Sequence, residues 1–160
     1  MKQIFRAKVP IATKRSVFNT CVLPVLTYGS QTWSINKAQV KRLRVAQRAM
    51  ERIMLGVWLR DRIRNTEVRN RTGLKDVARS ALALKWQWAG HVARLQDDRW
   101  TRAVTEWIPY DGHRSRGRHP TRWNHSLWRF AGRQYTRIAV DREEWKRSED
   151  AFARLWDDMG

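Results

Sequence analysis

Cysteine, proline and glycine are scarce in this chain. Its 160 residues include one cysteine, Cys21, four prolines and eight glycines. A single thiol cannot form an internal disulfide, which excludes a disulfide-stabilised scaffold. Acidic residues are also few, and none precedes Glu51.

Long apolar runs are absent as well. The one long uncharged stretch, residues 16–36, contains Pro24, Gly29 and many hydroxyl and amide side chains. Because these groups are too polar for a bilayer, the stretch is predicted to be buried protein core, and no membrane partner is expected. An intracellular location, nuclear or cytoplasmic, is favoured. The acid-poor start also resembles a mitochondrial transit peptide, and this alternative stays open.

Positive charge is in large excess. Lysine and arginine number 33 against 15 acidic residues, which gives a formal net charge of +18 and a pI near 11.4. Arginine outnumbers lysine 25 to 8, and its planar guanidinium both pairs with phosphate oxygens and stacks on flat rings. Nucleic acid is the predicted partner. The end of the chain differs, because residues 134–160 carry five basic and seven acidic side chains.

Apolar residues recur at intervals of three and four, which is typical of amphipathic helices. Helices are predicted over residues 13–28, 37–55, 75–95 and 142–156, with a shorter one that begins near residue 65. The first would bury a stripe formed by Val17, Phe18, Cys21, Val22, Val25 and Leu26. Thr13 is its expected N-cap and Pro24 should kink or split it, while Asp141 should cap the last helix. No strand-like alternation is present, so the chain is predicted to be all-α, a helical bundle followed by a tryptophan- and arginine-rich helical extension.

No active site is evident from the residue types. Zinc would require cysteine or histidine ligands in close pairs, whereas Cys21 is far from the histidines, which are His91, His113, His119 and His125. The two pairs of adjacent aspartates, at residues 97–98 and 157–158, are more typical of helix caps and surfaces than of a metal-dependent active site. Neither a phosphate-binding glycine loop nor a catalytic triad is present. No catalytic residue, cofactor or metal site is predicted.

The most distinctive local segment covers residues 114–123. It places four arginines around a glycine and a proline, directly before Trp123. Such a loop can align guanidiniums along a phosphate backbone while the indole stacks on a base. In the alternative interpretation the arginines lie across the tryptophans and cover them. Six other tryptophans are predicted to pack in the core, namely Trp86, Trp88, Trp100, Trp107, Trp145 and Trp156.

The order of several short motifs resembles a known family. The motifs are FNTCVLPVLTYG at 18–29, LRVAQRAMER at 43–52, RDRIRN at 60–65, RTG at 71–73, KWQWAGHVAR at 85–94, EWIP at 106–109, GR at 117–118 and RW at 122–123. Together they resemble the region after the polymerase palm in reverse transcriptases of non-long-terminal-repeat retrotransposons, the RTE type in particular. The set covers nearly the whole chain. His119 departs from the pattern, because it stands where this family usually has a proline.

The resemblance implies a parent protein that is both an endonuclease and an RNA-directed DNA polymerase, the latter using Mg²⁺. By the same resemblance, residues 10–95 correspond to the thumb, a helical bundle that grips nucleic acid, and residues 96–160 to a C-terminal extension. The parent's polymerase and endonuclease motifs are absent from these residues, so no catalytic residue is carried over. A chain that starts at Met1, just before the matched region, is expected to be a truncated copy or a fragment.

These observations predict a non-catalytic nucleic-acid-binding fragment of a retrotransposon reverse transcriptase. Its partner would be RNA, DNA or a hybrid duplex, with the parent's upstream palm domain as an alternative partner. The predicted contacts are Arg44, Arg48, Arg60, Arg62, Arg64, Arg114, Arg116, Arg118, Arg122 and Trp123, the arginines on phosphates and the tryptophan on a base. Three alternatives stay open: a piece that supplies polymerase activity in trans, a helical module that docks onto the missing palm, and a relic with no independent function.

Overall fold

The computed structural model describes residues 2–95, 100–107 and 121–155 together with residue 157. Within these ranges the regular elements are helices joined by turns, without a β-strand, which confirms the predicted all-α fold. The chain divides into two compact units: unit 1 has residues 1–28 and 38–81, and unit 2 has residues 29–37 and 82–160. No helix in the described part of the chain is long and apolar enough to cross a membrane.

Unit 1 consists of short helices and one long one. Its elements are α1 (Lys2–Arg6), α2 (Ile11–Val17), a π-helical turn (Phe18–Val22), α3 (Leu23–Leu26), α4 (Lys37–Leu55), a 3₁₀ turn (Leu59–Asp61), α5 (Asn65–Thr72) and the first residues of α6 (Val77–Ala93). Unit 2 has a 3₁₀ turn (Ser30–Thr32), the rest of α6, α7 (Trp100–Glu106), α8 (His125–Ala131), α9 (Tyr135–Ile138), α10 (Arg142–Arg147) and α11 (Glu149–Ala153). The division falls within α6, whereas the sequence predicts a boundary near residue 95. The assignment of residues 10–95 as a thumb stays a prediction.

The first predicted helix is interrupted near Pro24, as the sequence predicts. Pro24 lies in the first turn of α3, where a missing N–H is tolerated, and it follows a π-helical turn that carries one more residue per turn than an α-helix. The wider turn changes which face the residues within it and after it present. Cys21, within the turn, and Val25, after it, are both exposed, so the predicted stripe is wrong at both positions. Thr13 is not the N-cap, because the helix already begins at Ile11.

The hydrophobic core of unit 1 gathers side chains from distant parts of the sequence. Its buried members are Phe5, Phe18, Val22, Leu23, Met54, Leu74 and Val77. Leu43, Met50 and Ile53 of α4 pack against this cluster, as the apolar spacing of that helix predicts. The predicted bounds of α4, residues 37–55, are confirmed.

Two adjacent cations of α2 bind the carboxyl ends of two other helices. The buried Lys14 donates from Nζ to the carbonyl of Met54 at 2.8 Å, near the end of α4. Arg15 donates from Nε at 2.7 Å to the carbonyl of Thr72, the last residue of α5. The last carbonyls of a helix lack intrahelical donors and carry partial negative charge, so a cation stabilises them. These two side chains therefore have a structural role.

A buried amide connects α4 to the start of α6. Gln47 donates from Nε2 to Glu51 at 2.8 Å and to the carbonyl of Lys75 at 3.0 Å. Its Oε1 accepts from the backbone N–H of Val77 at 2.8 Å. Gln47 and Glu51 are both buried, which hydrophobic periodicity alone does not predict for polar side chains.

The carboxylate of Asp76 joins the start of α6 to two arginines. Its Oδ1 accepts from the backbone N–H groups of Ala78 and Arg79 at 2.8 and 3.0 Å, which caps α6. Its Oδ2 pairs with the guanidinium of Arg69 and lies 3.4 Å from Nε of Arg44. Burial opposes the charged form, but the hydrogen bonds from Arg79 and Arg69 outweigh it. The pKa of Asp76 is therefore held below its ordinary value of 3.8.

Removal of this carboxylate is expected to destabilise the protein. Asp76→Ala should lower the free energy of unfolding by about 2–4 kcal/mol, because it removes the helix cap and the partner of two arginines. Asp76→Asn should lose about 1–2 kcal/mol, since asparagine retains the cap. Because the folded state lowers this pKa, the wild-type contribution is present above a pH of about 4 and is lost as the pH falls through the lowered value. The Asn variant should lack that pH dependence.

Urea unfolding at about pH 7 and about pH 3 measures both effects. Glu67→Gln is the matched control, because the ion pair of Glu67 with Arg71 is half-exposed and should contribute less than ~1 kcal/mol. Equal losses for Asp76→Asn and Glu67→Gln would contradict the role assigned to Asp76.

Two tryptophans in contact form the centre of unit 2. The rings of Trp86 and Trp145 stack with centroids 3.6 Å apart and planes 3° apart. Each ring N–H donates to the backbone carbonyl of the other residue, at 2.8 and 3.0 Å. Phe130 and Phe152 pack around Trp86. Because both indoles are buried with their N–H groups satisfied, the predicted core role of these two tryptophans is confirmed.

The other tryptophans predicted to lie in the core behave differently. Trp100 and Trp107 are 83% and 68% exposed, so the prediction is wrong for both. Trp88 is half-buried, and Trp156 lies outside the described residues. Apolar neighbours in the sequence do not ensure burial when a helix is as short as the seven-residue α7.

The last predicted helix is divided into α10 and α11, which meet at Ser148. Asp141 caps α10 as predicted, because its Oδ1 accepts from the backbone N–H groups of Glu143 and Glu144 at 2.9 and 3.0 Å. The carboxylate satisfies two of the free donors at the helix start.

Gly90 lies on α6, four residues after Trp86, and its backbone is close to the ring of Trp145. A methyl group at this position would come within 2.3 Å of Nε1 of Trp145. Alanine normally stabilises a helix interior by about 1 kcal/mol relative to glycine. Here Gly90→Ala should instead lower the free energy of unfolding by about 1–3 kcal/mol, because the stacked pair must shift.

Thermal or urea unfolding measures this change. The same substitution in a Trp145→Phe background is the control, since phenylalanine lacks the ring nitrogen that the methyl group meets, and the loss should shrink. A Gly90→Ala variant more stable than the wild type would show that the two groups do not approach closely.

Candidate nucleic-acid interface

Positive charge in unit 1 greatly exceeds negative charge. Residues 1–28 and 38–81 contain 17 basic and four acidic side chains. The four carboxylates are those of Glu51, Asp61, Glu67 and Asp76, and each has a partner within the unit. Four carboxylates cannot neutralise 17 cations, so the exposure of individual arginines decides what this surface can bind.

We call residues 58–64, which follow α4 and lead into α5, the arginine loop. Arg60, Arg62 and Arg64 are all exposed, the side chain of Arg60 at 83%. Among the residues that the structure describes, Arg62 and Arg64 form no ion pair, and Arg60 has a distant one, 3.9 Å from Asp61. Three of the ten predicted contacts therefore lie together on a loop that faces solvent.

The shape of the arginine loop is set by its own backbone. The backbone N–H of Trp58 donates to Oδ2 of Asp61 at 2.7 Å, which closes the 3₁₀ turn. Arg62 follows with a φ of 51°, a left-handed conformation that costs a residue with a side chain roughly 1–2 kcal/mol. Backbone strain of this kind is concentrated at functional loops. The carboxylate of Asp61 is thus engaged in the turn, and Arg62, the residue in the strained conformation, carries an exposed guanidinium.

The two helices on either side of the loop are tied together. Nη2 of Arg52, near the end of α4, donates to Oδ1 of Asn65, the first residue of α5, at 2.7 Å. Gly56 ends α4 with a φ of 69°, which a glycine adopts without strain. The loop therefore starts and ends at fixed points.

Arg44 and Arg48, the other predicted contacts in unit 1, lie on α4 among charged neighbours. The side chain of Arg44 is 19% exposed and pairs with Asp76. Arg48 is half-buried; burial lowers its pKa and the positive charge of Arg69 lowers it further, while Glu51 acts in the opposite sense. The guanidinium of Arg44 is therefore engaged within the fold and Arg48 is half-buried, so both offer less surface to a phosphate than the arginine loop does.

The remaining predicted contacts belong to residues 114–123. Arg114, Arg116 and Arg118 lie outside the described residues. Arg122 is exposed and Trp123 is half-buried, and both line a cavity in unit 2. The structure therefore brings these last two residues together.

We call this space the tryptophan cavity. Its volume is about 730 Å³, within the range of roughly 300–1,000 Å³ that is typical of small-molecule sites. Four indoles line it, those of Trp88, Trp100, Trp107 and Trp123, together with Arg122, Asn124 and residues of α7. Sequence patterns did not predict this grouping, although the spacing of Trp100, Val104 and Trp107 is the one that brings side chains to one face of a helix.

Two contacts hold Trp123 in place. Its ring N–H donates to the carbonyl of Gln31 at 2.6 Å, and Nζ of Lys85 lies 5.2 Å from its ring centroid. Lys85 is buried and donates to the carbonyl of Trp33 at 2.9 Å. Burial lowers the pKa of Lys85 to about 7. The positive charge beside the ring is therefore lost as the pH rises above neutrality.

The histidines do not form a metal centre in the described ranges, where no three histidine, cysteine or acidic side chains come together. His125 accepts at Nδ1 from the backbone N–H of Arg122 at 3.2 Å. His91 lies beside the ring of Trp88, 5.3 Å between centroids. His113 and His119 lie outside the described residues.

The chain is similar to a transposon-derived protein. That relative, from Caenorhabditis elegans, is 37% identical over 143 residues, which cover 81% of this chain and 51% of the relative. The chain thus spans about half the length of the relative, and the similarity indicates a transposon origin. No protein-family model and no solved structure matches the chain.

Proposed function

We propose that this chain is a nucleic-acid-binding, non-catalytic piece of a retrotransposon reverse transcriptase, in which the arginine loop holds a phosphate backbone. The observation that carries the proposal is the exposure of Arg60, Arg62 and Arg64 in a unit with 17 cations and four engaged carboxylates. The motif order and the transposon-derived relative support the parent family. RTE-type retrotransposons are the proposed source.

Phosphate binding by this loop requires charge and reach rather than a shaped pocket. Each guanidinium can pair with two phosphate oxygens, and each phosphate neutralised releases condensed counterions. Binding should therefore depend strongly on salt and little on base sequence. Arg44 and Arg48 would add long-range attraction, since burial and Asp76 restrict their direct contacts.

In this proposal, chemistry belongs to other parts of the parent protein. The polymerase and endonuclease residues, and the Mg²⁺ that the polymerase would use, lie outside the residues present here. Unit 1 acts as part of a thumb that keeps a template–primer duplex in place, and unit 2 contributes contacts of its own. Isolated chain mixed with template, primer, nucleotides and Mg²⁺ would then yield no extended product.

The arginine loop can be tested by removing its charge without disturbing the fold. The variant with Arg60, Arg62 and Arg64 all changed to Gln should bind duplex DNA more weakly. The slope of log K against log salt concentration should become shallower by about 2–3, close to 0.9 per lost phosphate contact. Fluorescence anisotropy over a salt series measures both quantities, with duplex DNA, RNA–DNA hybrid and single strands as ligands.

The matched control changes Arg137, Arg142 and Arg147 to Gln, which removes the same charge from exposed positions in the acidic end of the chain. Its slope should change by less than about 1. Equal effects in both variants would mean that the chain binds through diffuse net charge alone, and wild-type chain that fails to bind at low salt would refute the proposal.

A second candidate function is a helical module that docks onto the missing palm domain. The observation in its favour is exposed apolar surface around α3, where Val25 and Tyr28 are 73% and 85% exposed. Self-association in light scattering without nucleic acid, together with salt-independent behaviour, would favour this function over the first.

A further inference from the structure

The tryptophan cavity presents more ring surface to solvent than a folded core requires. Trp100 and Trp107 are mostly exposed although they are among the largest apolar side chains of unit 2. Contiguous exposed apolar surface on a folded protein marks a binding site more often than a defect. Because flat indoles line the cavity, a flat aromatic ligand would complement it better than an aliphatic chain.

Trp123 gives the cavity a fixed wall. The hydrogen bond to Gln31 and the Lys85 ammonium beside the ring hold this indole in one orientation before any ligand arrives. A ring that is already ordered loses little conformational entropy on binding, which favours affinity. The exposed Trp100 and Trp107 are then free to pack on the ligand.

Arg122 determines the charge that fits beside the cavity. It is exposed, it lines the cavity, and its backbone N–H is fixed by His125. A flat ring that is attached to an anion describes a nucleotide. Bases in a duplex are already stacked and paired, so the ring that can enter is an unpaired one.

We propose that the tryptophan cavity binds an unpaired nucleobase of a single-stranded RNA or DNA, stacked between indoles with its phosphate beside Arg122. This inference rests on the proposed function only in taking nucleic acid as the ligand. It assigns base stacking to unit 2, whereas the proposed function assigns phosphate binding to the arginine loop of unit 1.

The test separates the bases from the phosphates. Two labelled single strands of equal length are compared, one with bases and one with an abasic sugar at every position, so that the phosphate number is identical. Wild-type chain should bind the strand with bases at least about tenfold more tightly, since stacking on aromatic side chains supplies that much per base. Equal affinity for the two strands would overturn the inference.

Variants then locate the effect. Trp100→Ala combined with Trp107→Ala should bring the affinity ratio of the two strands close to one, while affinity for the abasic strand is unchanged. Both side chains are exposed, so their loss should leave the fold intact, which thermal unfolding checks. Arg122→Gln should weaken the binding of both strands to the same degree.

Trp58→Ala is the matched control, because it removes an exposed tryptophan from the arginine loop. If Trp58→Ala abolishes the ratio and the double variant does not, the base stacks on the arginine loop and the inference is wrong.

The two proposals fail in distinguishable ways. The variant of Arg60, Arg62 and Arg64 should weaken both strands equally and preserve the ratio. If that variant loses no affinity and keeps the ratio of affinities for the two strands, phosphate binding by the arginine loop is contradicted and base binding by the cavity stays supported. If the wild-type chain binds both strands equally and its affinity depends strongly on salt, base binding by the cavity is contradicted and phosphate binding by the arginine loop stays supported.

Discussion

The buried carboxylate of Asp76 is the contact on which much of unit 1 depends. In a unit with so few acids, this one group caps α6 and holds the guanidiniums of Arg69 and Arg44. Its charged form persists despite burial because backbone N–H groups and cations surround it. The cations near Asp76 are thereby bound within the fold. The arginine loop has no equivalent carboxylate, because its one acid, Asp61, closes the turn and lies 3.9 Å from Arg60.

The same division between structural and exposed cations runs through the rest of unit 1. Lys14 and Arg15 neutralise the carboxyl ends of two helices, so a high count of basic residues overstates the charge that is available to a ligand. Net charge alone predicts attraction to nucleic acid, and the internal partners of each cation decide where that attraction is strongest. Unit 2 differs from unit 1, because aromatic rings line its cavity and its last residues are rich in carboxylates. Base stacking is accordingly proposed for unit 2 alone, whereas phosphate contacts are proposed for the arginine loop and for Arg122.

Sequence patterns predicted the elements whose signals are local. The apolar spacing of α4 gave its bounds, and Asp141 was identified as a helix cap because capping depends on residues that are adjacent in the chain. Contacts between distant residues were not predictable in this way. The mutual hydrogen bonds of Trp86 and Trp145 join positions 59 residues apart. Gln47 and Glu51 form a buried pair, although polar residue types such as these predict exposure to solvent. In the candidate site, the arginine loop could be predicted from composition, whereas the tryptophan cavity depends on rings that the local pattern assigned to the core.

Arginine modification by a glyoxal reagent, mapped by mass spectrometry with and without a duplex ligand, tests the central claim most directly. In the free chain Arg60, Arg62 and Arg64 should react readily, while Arg15 and Arg69, held by internal acceptors, should react slowly in either state. In the complex the three loop arginines should become protected. Continued reactivity of these three, with protection at Arg137, Arg142 or Arg147 instead, would contradict the account.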